Sequence, residues 1–419
     1  MLSRGLYLLL ILFFFIFGNW LLSFTSLDEG RNMDAVQNMI RTGDFINPQY
    51  NCQPRFEKPP LLYWLVVVSS YLFGLSEFSA RLVSGLSALG LAGITYLLTR
   101  DFFSKEKALS SALVLATFPH LWLEARAVVP EMLNTFFALG GLYAFLRGWF
   151  ILGWFFLSLA FLTKGPVGVV LAVGTYTLWK RRLDFLKPTG VVIFLLVGVS
   201  WYVAMLFQHG YEYFYRFFIY ENLMRYTGQR STHPAPFYYY LPVLALGTIW
   251  YVPLYFRLIK SFRREWLPLL FWVAFVLLFF SLASNKLHHY ILFAYPPLAI
   301  LLAQVLSERY LKFSLIFSSL TLILLMPLLH LYERERFTPK AHALIKTYEG
   351  PVYFYKAEDS SLVFYSGRCI KRLEDPWVLE GLVITKEKHL RELPACKTLI
   401  KGREFDGVYL LLACQKALK

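Results

Sequence analysis

Apolar stretches recur along the whole first part of the chain, with only short polar gaps between most of them. Residues 6–24, LYLLLILFFFIFGNWLLSF, form the first. Further runs lie near 81–99, 107–123, 132–146, 149–163, 166–179, 190–207, 238–256, 266–283, 288–305 and 313–330. Each is close to the length a helix needs to cross a bilayer, so the pattern predicts about 11 spans. The polar interval at 25–79 is itself patterned. Met33, Val36, Met39 and Ile40 follow helical spacing and Gly43 is a stop. Residues 61–73, LLYWLVVVSSYLF, open after Pro59-Pro60 and close at Gly74. Two interfacial helices are therefore expected in this interval. Beyond residue 330 the period changes. PVYFYK, SLVFYSG, GLVITK and VYLLLACQK are short β-like runs between polar turns, so residues 331–419 read as a small α/β domain.

Composition and charge decide how this pattern sits in a membrane. Of 419 residues, 57% are hydrophobic and only 16% charged, which excludes an ordinary soluble domain. The first run resembles a signal peptide in following Arg4. It is long for an h-region and no small-x-small site follows it, so an uncleaved span is expected. The net charge of +15 (42 basic minus 27 acidic residues) is explained by loop asymmetry, without nucleic acid as a partner. With the N-terminus in the cytoplasm, the inner loops collect Arg100, Lys105 and Lys107; Arg147; Lys180, Arg181, Arg182 and Lys187; Arg257, Lys260, Arg263 and Arg264; Arg309 and Lys312. If 61–73 also crossed, all of these would face outward. The segment is therefore expected to lie at the interface, and the C-terminal domain to be extracytoplasmic. Cys52, Cys369, Cys396 and Cys414 would then face an oxidising side, although spacing alone assigns no bridge.

The polar residues that need a reason gather on that outer side. Asp28, Glu29, Arg31 and Asp34 follow the first span, and Arg55, Glu57 and Lys58 close the loop. Glu124, Arg126, Glu131, Lys164, Glu221, Arg225, His233, Lys286, His288 and His289 join them in this topology. Ionisable groups near membrane depth are costly unless they pair or perform chemistry. A carboxylate can serve as general base, and Lys or Arg can hold a phosphate as a leaving group. An amphipathic cavity beside them would suit a lipid phosphate. Each residue also has a plain reading. Acids at a helix start complement the dipole, Glu57–Lys58 can be a surface ion pair, and Glu131 can be an interfacial cap. Arg126 and Lys286 read as headgroup contacts, and His288-His289 has no ligand spacing of its own. No Walker loop or GxGxxG occurs, so no nucleotide cofactor is expected.

The ordered blocks LDEGRNMDAVQNMIRTGDFINPQYN, RFEKPPLLYWL, LTKGPVG, HPAPFYYYLPVLALG and HHYILFAYPPLAILLA, within residues 20–305, resemble GT-C membrane glycosyltransferases. This superfamily includes the protein O-mannosyltransferases, and the likeness is greatest to the lipid A aminoarabinose transferase branch. The resemblance implies a GT-C polytopic α-helical domain (residues 1–330) acting in the bacterial inner membrane on its extracytoplasmic face. It implies an undecaprenyl-phosphate-type sugar donor, and an acceptor that is lipid A or another envelope glycan. It makes Asp28 and Glu131 catalytic candidates, with Asp28 the general base. Lys58, Arg31 and Arg225 become candidates for the donor phosphate, and Glu57 and His233 candidate ligands of a divalent metal ion. Asn32, Arg55 and Asn222 depart from the branch's usual Tyr, Tyr and His, and Glu131 stands for its usual Asp. The competing reading is a transporter or flippase of polyprenyl-phosphate-linked lipids, which internal symmetry would favour; no such symmetry is evident.

Overall fold

The computed structural model describes residues 4–229, 233–374, 380–393 and 396–414. The chain folds as two compact units. One comprises Met1–Phe17, Phe56–Leu65 and Arg81–Leu322; the other comprises Gly18–Arg55, Val66–Ala80 and Ile323–Lys419.

Among the described residues, three helices are long and apolar enough to cross a membrane: Glu77–Phe102, Arg264–Leu282 and Glu308–Glu335. Three bent pairs each supply one more candidate. These are Ala108–Ala116 with Pro119–Ala125, bent by 69°, Pro188–Gly198 with Ser200–Thr227, bent by 45°, and Phe237–Gly247 with Ile249–Lys260, bent by 82°. Six candidates thus stand where the apolar runs suggest about 11. The runs at 132–146, 149–163 and 166–179 do form helices, Pro130–Leu146, Phe150–Lys164 and Pro166–Lys180, but with only 17, 15 and 15 residues. The Gly148 and Gly165 turns, both at positive φ, end the first two of these three.

Breaks in the helices place polar groups. At the 69° bend Pro119 takes the first helical position, and the Trp122 indole N–H donates to the carbonyl of Ala116 at 2.7 Å. The break is thereby satisfied internally, as a low-dielectric surrounding demands. The next turns carry His120 and Glu124. Tyr215–Leu223 winds as a π-helix, the looser turn that often marks functional segments; Glu221 lies on it and Arg225 follows it.

The second unit confirms the elements expected at 27–43 and corrects part of the tail. Helix Leu27–Thr42 is capped by Ser26, whose hydroxyl accepts from the Glu29 N–H, and closed by Gly43 at φ 73°. Helix Leu61–Phe73 begins after Pro60 and ends before Gly74, at φ 80°. Strands β1 (Gln49–Tyr50) and β2 (Gln53–Pro54) form a short antiparallel pair. The tail carries β3 (Val352–Tyr355), β4 (Lys371–Arg372), β5 (Gly381–Lys386), β6 (Cys396–Glu404) and β7 (Gly407–Cys414), in the order β4-β3-β5-β7-β6. The sheet is mixed: β3 runs parallel to β4 and β5, while β7 is antiparallel to β5 and β6. Helix Phe337–Thr347 packs Phe337, Ala341 and Ile345 on its apolar face with Phe354, Ile384 and Leu411.

The β-like run SLVFYSG is instead helix Ser360–Ser366. A short apolar run carries no period that separates strand from helix. Here the ends decide: the Asp359 carboxylate accepts from the N–H groups of Ser361 and Leu362, and Gly367 closes the helix at φ 65°. The other three runs are strands, with Gln415 and Lys416 of VYLLLACQK outside the described residues. Two disulfides, Cys52–Cys369 and Cys396–Cys414, answer the pairing that spacing leaves open.

Candidate active site

In the first unit an open cavity of about 250 Å³ has a lining of two chemical kinds. Its charged residues are Lys58, Lys164 and Arg225 together with Glu57 and Glu221. Its apolar residues include Val167, Val170, Phe217, Phe279 and Phe280. The Lys58 ammonium makes no ion pair among the described residues, whereas Arg225 lies 3.2 Å from the Glu221 carboxylate, one helical turn away. The start of helix Pro166–Lys180 also lines the cavity through Pro166 and Val167. Its unpaired N–H groups and partial positive charge favour an anion there.

Lys164 owes its position to the turn that follows it. Gly165 closes helix Phe150–Lys164 at φ 76° and ψ −149°, a backbone conformation that an L side chain rarely adopts. The ammonium then reaches Glu131 Oε1 at 2.9 Å and lies 4.7 Å from the centre of the Tyr290 ring. Glu131 sits in the first turn of helix Pro130–Leu146, behind Pro130, and is 5% exposed. A small pocket of about 10 Å³ is lined by Glu131 and His289 and shares Lys164 and Tyr290 with the larger cavity.

A chain of buried polar groups continues from Glu131. His289 Nε2 lies 3.3 Å from Glu131 Oε1, and Glu124 Oε1 lies 3.3 Å from His288 Nδ1 and 3.9 Å from His289 Nδ1. His120 Nε2 is 3.7 Å from Glu124 Oε1 and 3.0 Å from His288 Nδ1. The second oxygens of both Glu124 and Glu131 are buried without a hydrogen-bond partner. Among the described residues, His120, Glu124 and His288 are the group of His, Cys, Asp or Glu that could hold a metal ion.

The expected residues thus divide. Lys58, Glu57 and Arg225 line one cavity, and Glu131 reaches it through Lys164. His233 does not line it. Its side chain is exposed, its backbone N–H donates to Asn285 Oδ1, and its carbonyl accepts from the Lys286 N–H. His288, which has no telling ligand spacing in the sequence, joins His120 and Glu124 in the group that could hold a metal ion. Arg126 donates to the carbonyls of Phe14 and Phe17 at the end of the first helix, and the buried Lys286 ammonium donates to the carbonyl of Ala283. Sequence reasoning noted Lys164 and Glu124 only as charges needing a reason, and His120 not at all. The His-x-x-x-Glu spacing of 120 and 124, one helical turn, was the available signal.

Asp28 and Arg31 belong to the second unit. Arg31 Nη2 lies 2.6 Å from Glu358 and Nη1 lies 4.0 Å from Asp28. Burial pulls the Arg31 pKa down, but the Glu358 carboxylate more than reverses this and leaves it above the ordinary arginine value. Asp34 is 5% exposed, and burial raises its carboxyl to about 6 although it accepts from the Asn51 N–H at 2.8 Å. The buried Arg55 donates to Asn32 Oδ1 at 3.1 Å. Two departures from the branch pattern are therefore one another's partners.

Comparison with known proteins bears on this arrangement. The profile of the family described as dolichyl-phosphate-mannose-protein mannosyltransferase matches residues 57–206, a segment that begins at Glu57. An uncharacterised protein of Aquifex aeolicus is 49% identical over 95% of this chain and 96% of its own length. The undecaprenyl phosphate-alpha-4-amino-4-deoxy-L-arabinose arabinosyl transferase of Shewanella sediminis is 31% identical over 66% of this chain. This chain spans 55% of that relative's length. The crystal structure of ArnT from Cupriavidus metallidurans bound to undecaprenyl phosphate superposes with a TM-score of 0.79. That match has 20% identity and covers 99% of this chain and 98% of that one, which shows a shared fold. Helices, mixed sheet, matched profile and relatives agree: the chain belongs to the GT-C membrane glycosyltransferases, in the family described as dolichyl-phosphate-mannose-protein mannosyltransferase.

Proposed function

We propose that this protein moves a sugar from an undecaprenyl-phosphate-type donor to lipid A or another envelope glycan on the outer face of the bacterial inner membrane. The observation that carries this reading is the mixed lining of the cavity. Lys58, Lys164 and Arg225 suit a phosphate, and Val167, Val170, Phe279 and Phe280 suit the isoprenoid attached to it. Undecaprenyl phosphate, the lipid bound to ArnT of Cupriavidus metallidurans, has this split character. The two disulfides of the second unit support an oxidising, extracytoplasmic setting.

In this reading Asp28 takes the proton of the acceptor hydroxyl. The acceptor oxygen bonds to the anomeric carbon, and the bond from that carbon to the phosphate oxygen breaks. The electron pair leaves on the polyprenyl phosphate, where Lys58 and Arg225 stabilise the charge. The anomeric carbon passes through oxocarbenium character, as in glycoside hydrolysis. Arg31 lies between Glu358 and Asp28, 4.0 Å from the Asp28 carboxylate. Glu131 is a positioning residue that acts through Lys164. No step is routed through a metal ion.

The test compares the affinity of the purified protein for undecaprenyl phosphate and for a polyprenol of equal length. Lys58→Ala should weaken phosphate binding by about 10-fold or more, the value of a charge-assisted contact, and leave polyprenol binding unchanged. Equal binding of both lipids by parent and variant would overturn the phosphate site. Mass spectrometry of lipid A and envelope glycans, with and without the intact protein, identifies the acceptor.

A further inference from the structure

We propose that His120 Nε2, His288 Nδ1 and the Glu124 carboxylate form a site for one divalent ion of the zinc class, whose role is to position the catalytic cavity's buried side chains. This goes beyond the glycosyl-transfer reading and does not depend on it. His120 and Glu124 lie four residues apart on helix Pro119–Ala125 and so share a face, while His288 opens the segment His288–Ala294. The three atoms are 3.0 Å (His120–His288), 3.3 Å (His288–Glu124) and 3.7 Å (His120–Glu124) apart. Bonds of about 2.0–2.2 Å in a tetrahedral site place neighbouring ligand atoms about 3.3–3.6 Å apart. The three bracket this range, so shifts of a few tenths of an ångström complete one face of such a tetrahedron.

Hydrogen bonding supports the same assignment. The Tyr295 hydroxyl lies 2.6 Å from His120 Nδ1. With the Nδ1–H donating to it, the lone pair of Nε2 is turned toward Glu124 and His288, the outer-shell arrangement that metal-binding histidines show. The second Glu124 oxygen, in a side chain 4% exposed, has no hydrogen-bond partner among the described residues. A buried carboxylate left so incompletely satisfied is costly, and a bound cation removes that cost. Two imidazoles and one carboxylate match zinc-type sites. Magnesium and calcium prefer all-oxygen shells, and the softest ions prefer sulfur. His288 is half exposed and leaves a path for the ion. The ion would tie helix Pro119–Ala125 to the His288–Ala294 segment. The residue after His288 is His289, whose Nε2 lies 3.3 Å from Glu131, and Glu131 holds Lys164 on the cavity wall.

The experiment reads metal content rather than turnover. The full chain is purified in detergent without chelators, incubated with Zn²⁺, desalted and analysed by mass spectrometry for metal. We expect about one Zn²⁺ per chain, and visible bands of tetrahedral Co²⁺ after substitution. Glu124→Gln and His288→Ala should each weaken binding more than about 10-fold, while a Glu57→Gln/His233→Ala double variant should keep the ion. Loss of the ion only in the Glu57/His233 variant would overturn the proposal, as would no retained metal in the parent. If a variant aggregates, X-ray absorption of the zinc-loaded parent decides. Two imidazole ligands in a four-coordinate site support the assignment; a shell of oxygens alone refutes it.

Discussion

Replacing Lys164 with Met separates two roles that the structure gives one ammonium. Lys164 Nζ sits 2.9 Å from Glu131 Oε1, with the side chains 17% and 5% exposed. At an effective dielectric of about 20 the attraction at this distance is roughly 6 kcal/mol, most of it offset by desolvation of both ions. Removing one partner strands the other, which typically costs about 3–5 kcal/mol. Lys164 keeps some solvent and His289 Nε2 stands 3.3 Å from the same carboxylate oxygen, so about 2–4 kcal/mol is expected. Glu131→Gln added to Lys164→Met removes the stranded charge and should recover at least half of that loss. Affinity for undecaprenyl phosphate should behave differently. It should fall about 10-fold in the single variant and stay low in the double one, because the cation is missing from the cavity wall in both. Melting temperatures in detergent and lipid-binding titrations of the parent and both variants supply the comparison. A double variant no more stable than Lys164→Met would refute the stranded-charge argument. Restored lipid affinity in the double variant would remove Lys164 from the phosphate site.

Asp28→Asn should lower turnover by about 100-fold or more with donor binding largely retained, since size is kept and basicity lost; near-normal turnover rules out the general-base role. Asp34 carries a folded-state pKa of about 6, above the ordinary value of 3.8. Its stabilising contribution is therefore full below the ordinary value and is lost as pH rises through about 6. Asp34→Asn should make stability flatter between about pH 4 and 7 and raise it at pH 7 by up to about 3 kcal/mol; a parent that loses more stability than the variant on acidification through this window contradicts the assignment. Cys52→Ser should lower the melting temperature of the oxidised protein, because the Cys52–Cys369 bridge closes a separation of 317 residues. Under reducing conditions the parent and Cys52→Ser should melt alike, and a difference that persists there assigns the effect to the side chain rather than the crosslink.

What the sequence determined by itself is local. Helix Leu27–Thr42 was legible because its apolar positions keep helical spacing up to the stop at Gly43, and helix Leu61–Phe73 because Pro59-Pro60 and Gly74 bracket it. Strands β3, β5 and β7 were legible for the same reason, and helix Ser360–Ser366 was missed where composition and caps disagreed. The cavity-lining residues Lys58 and Arg225 were reachable because polar groups at membrane depth are rare enough to stand out. Tertiary structure alone decided the partners. Arg55 meets Asn32 across 23 residues, His120 meets His288 across 168, and Cys52 meets Cys369 across 317. No periodicity or cap encodes a contact between residues so far apart in the chain. Such pairs are fixed by the packing of whole elements, which brings His120 and Glu124 to His288 and leaves His233 exposed. A ligand group needs atoms within a few ångströms of one another, and only the folded chain sets that distance.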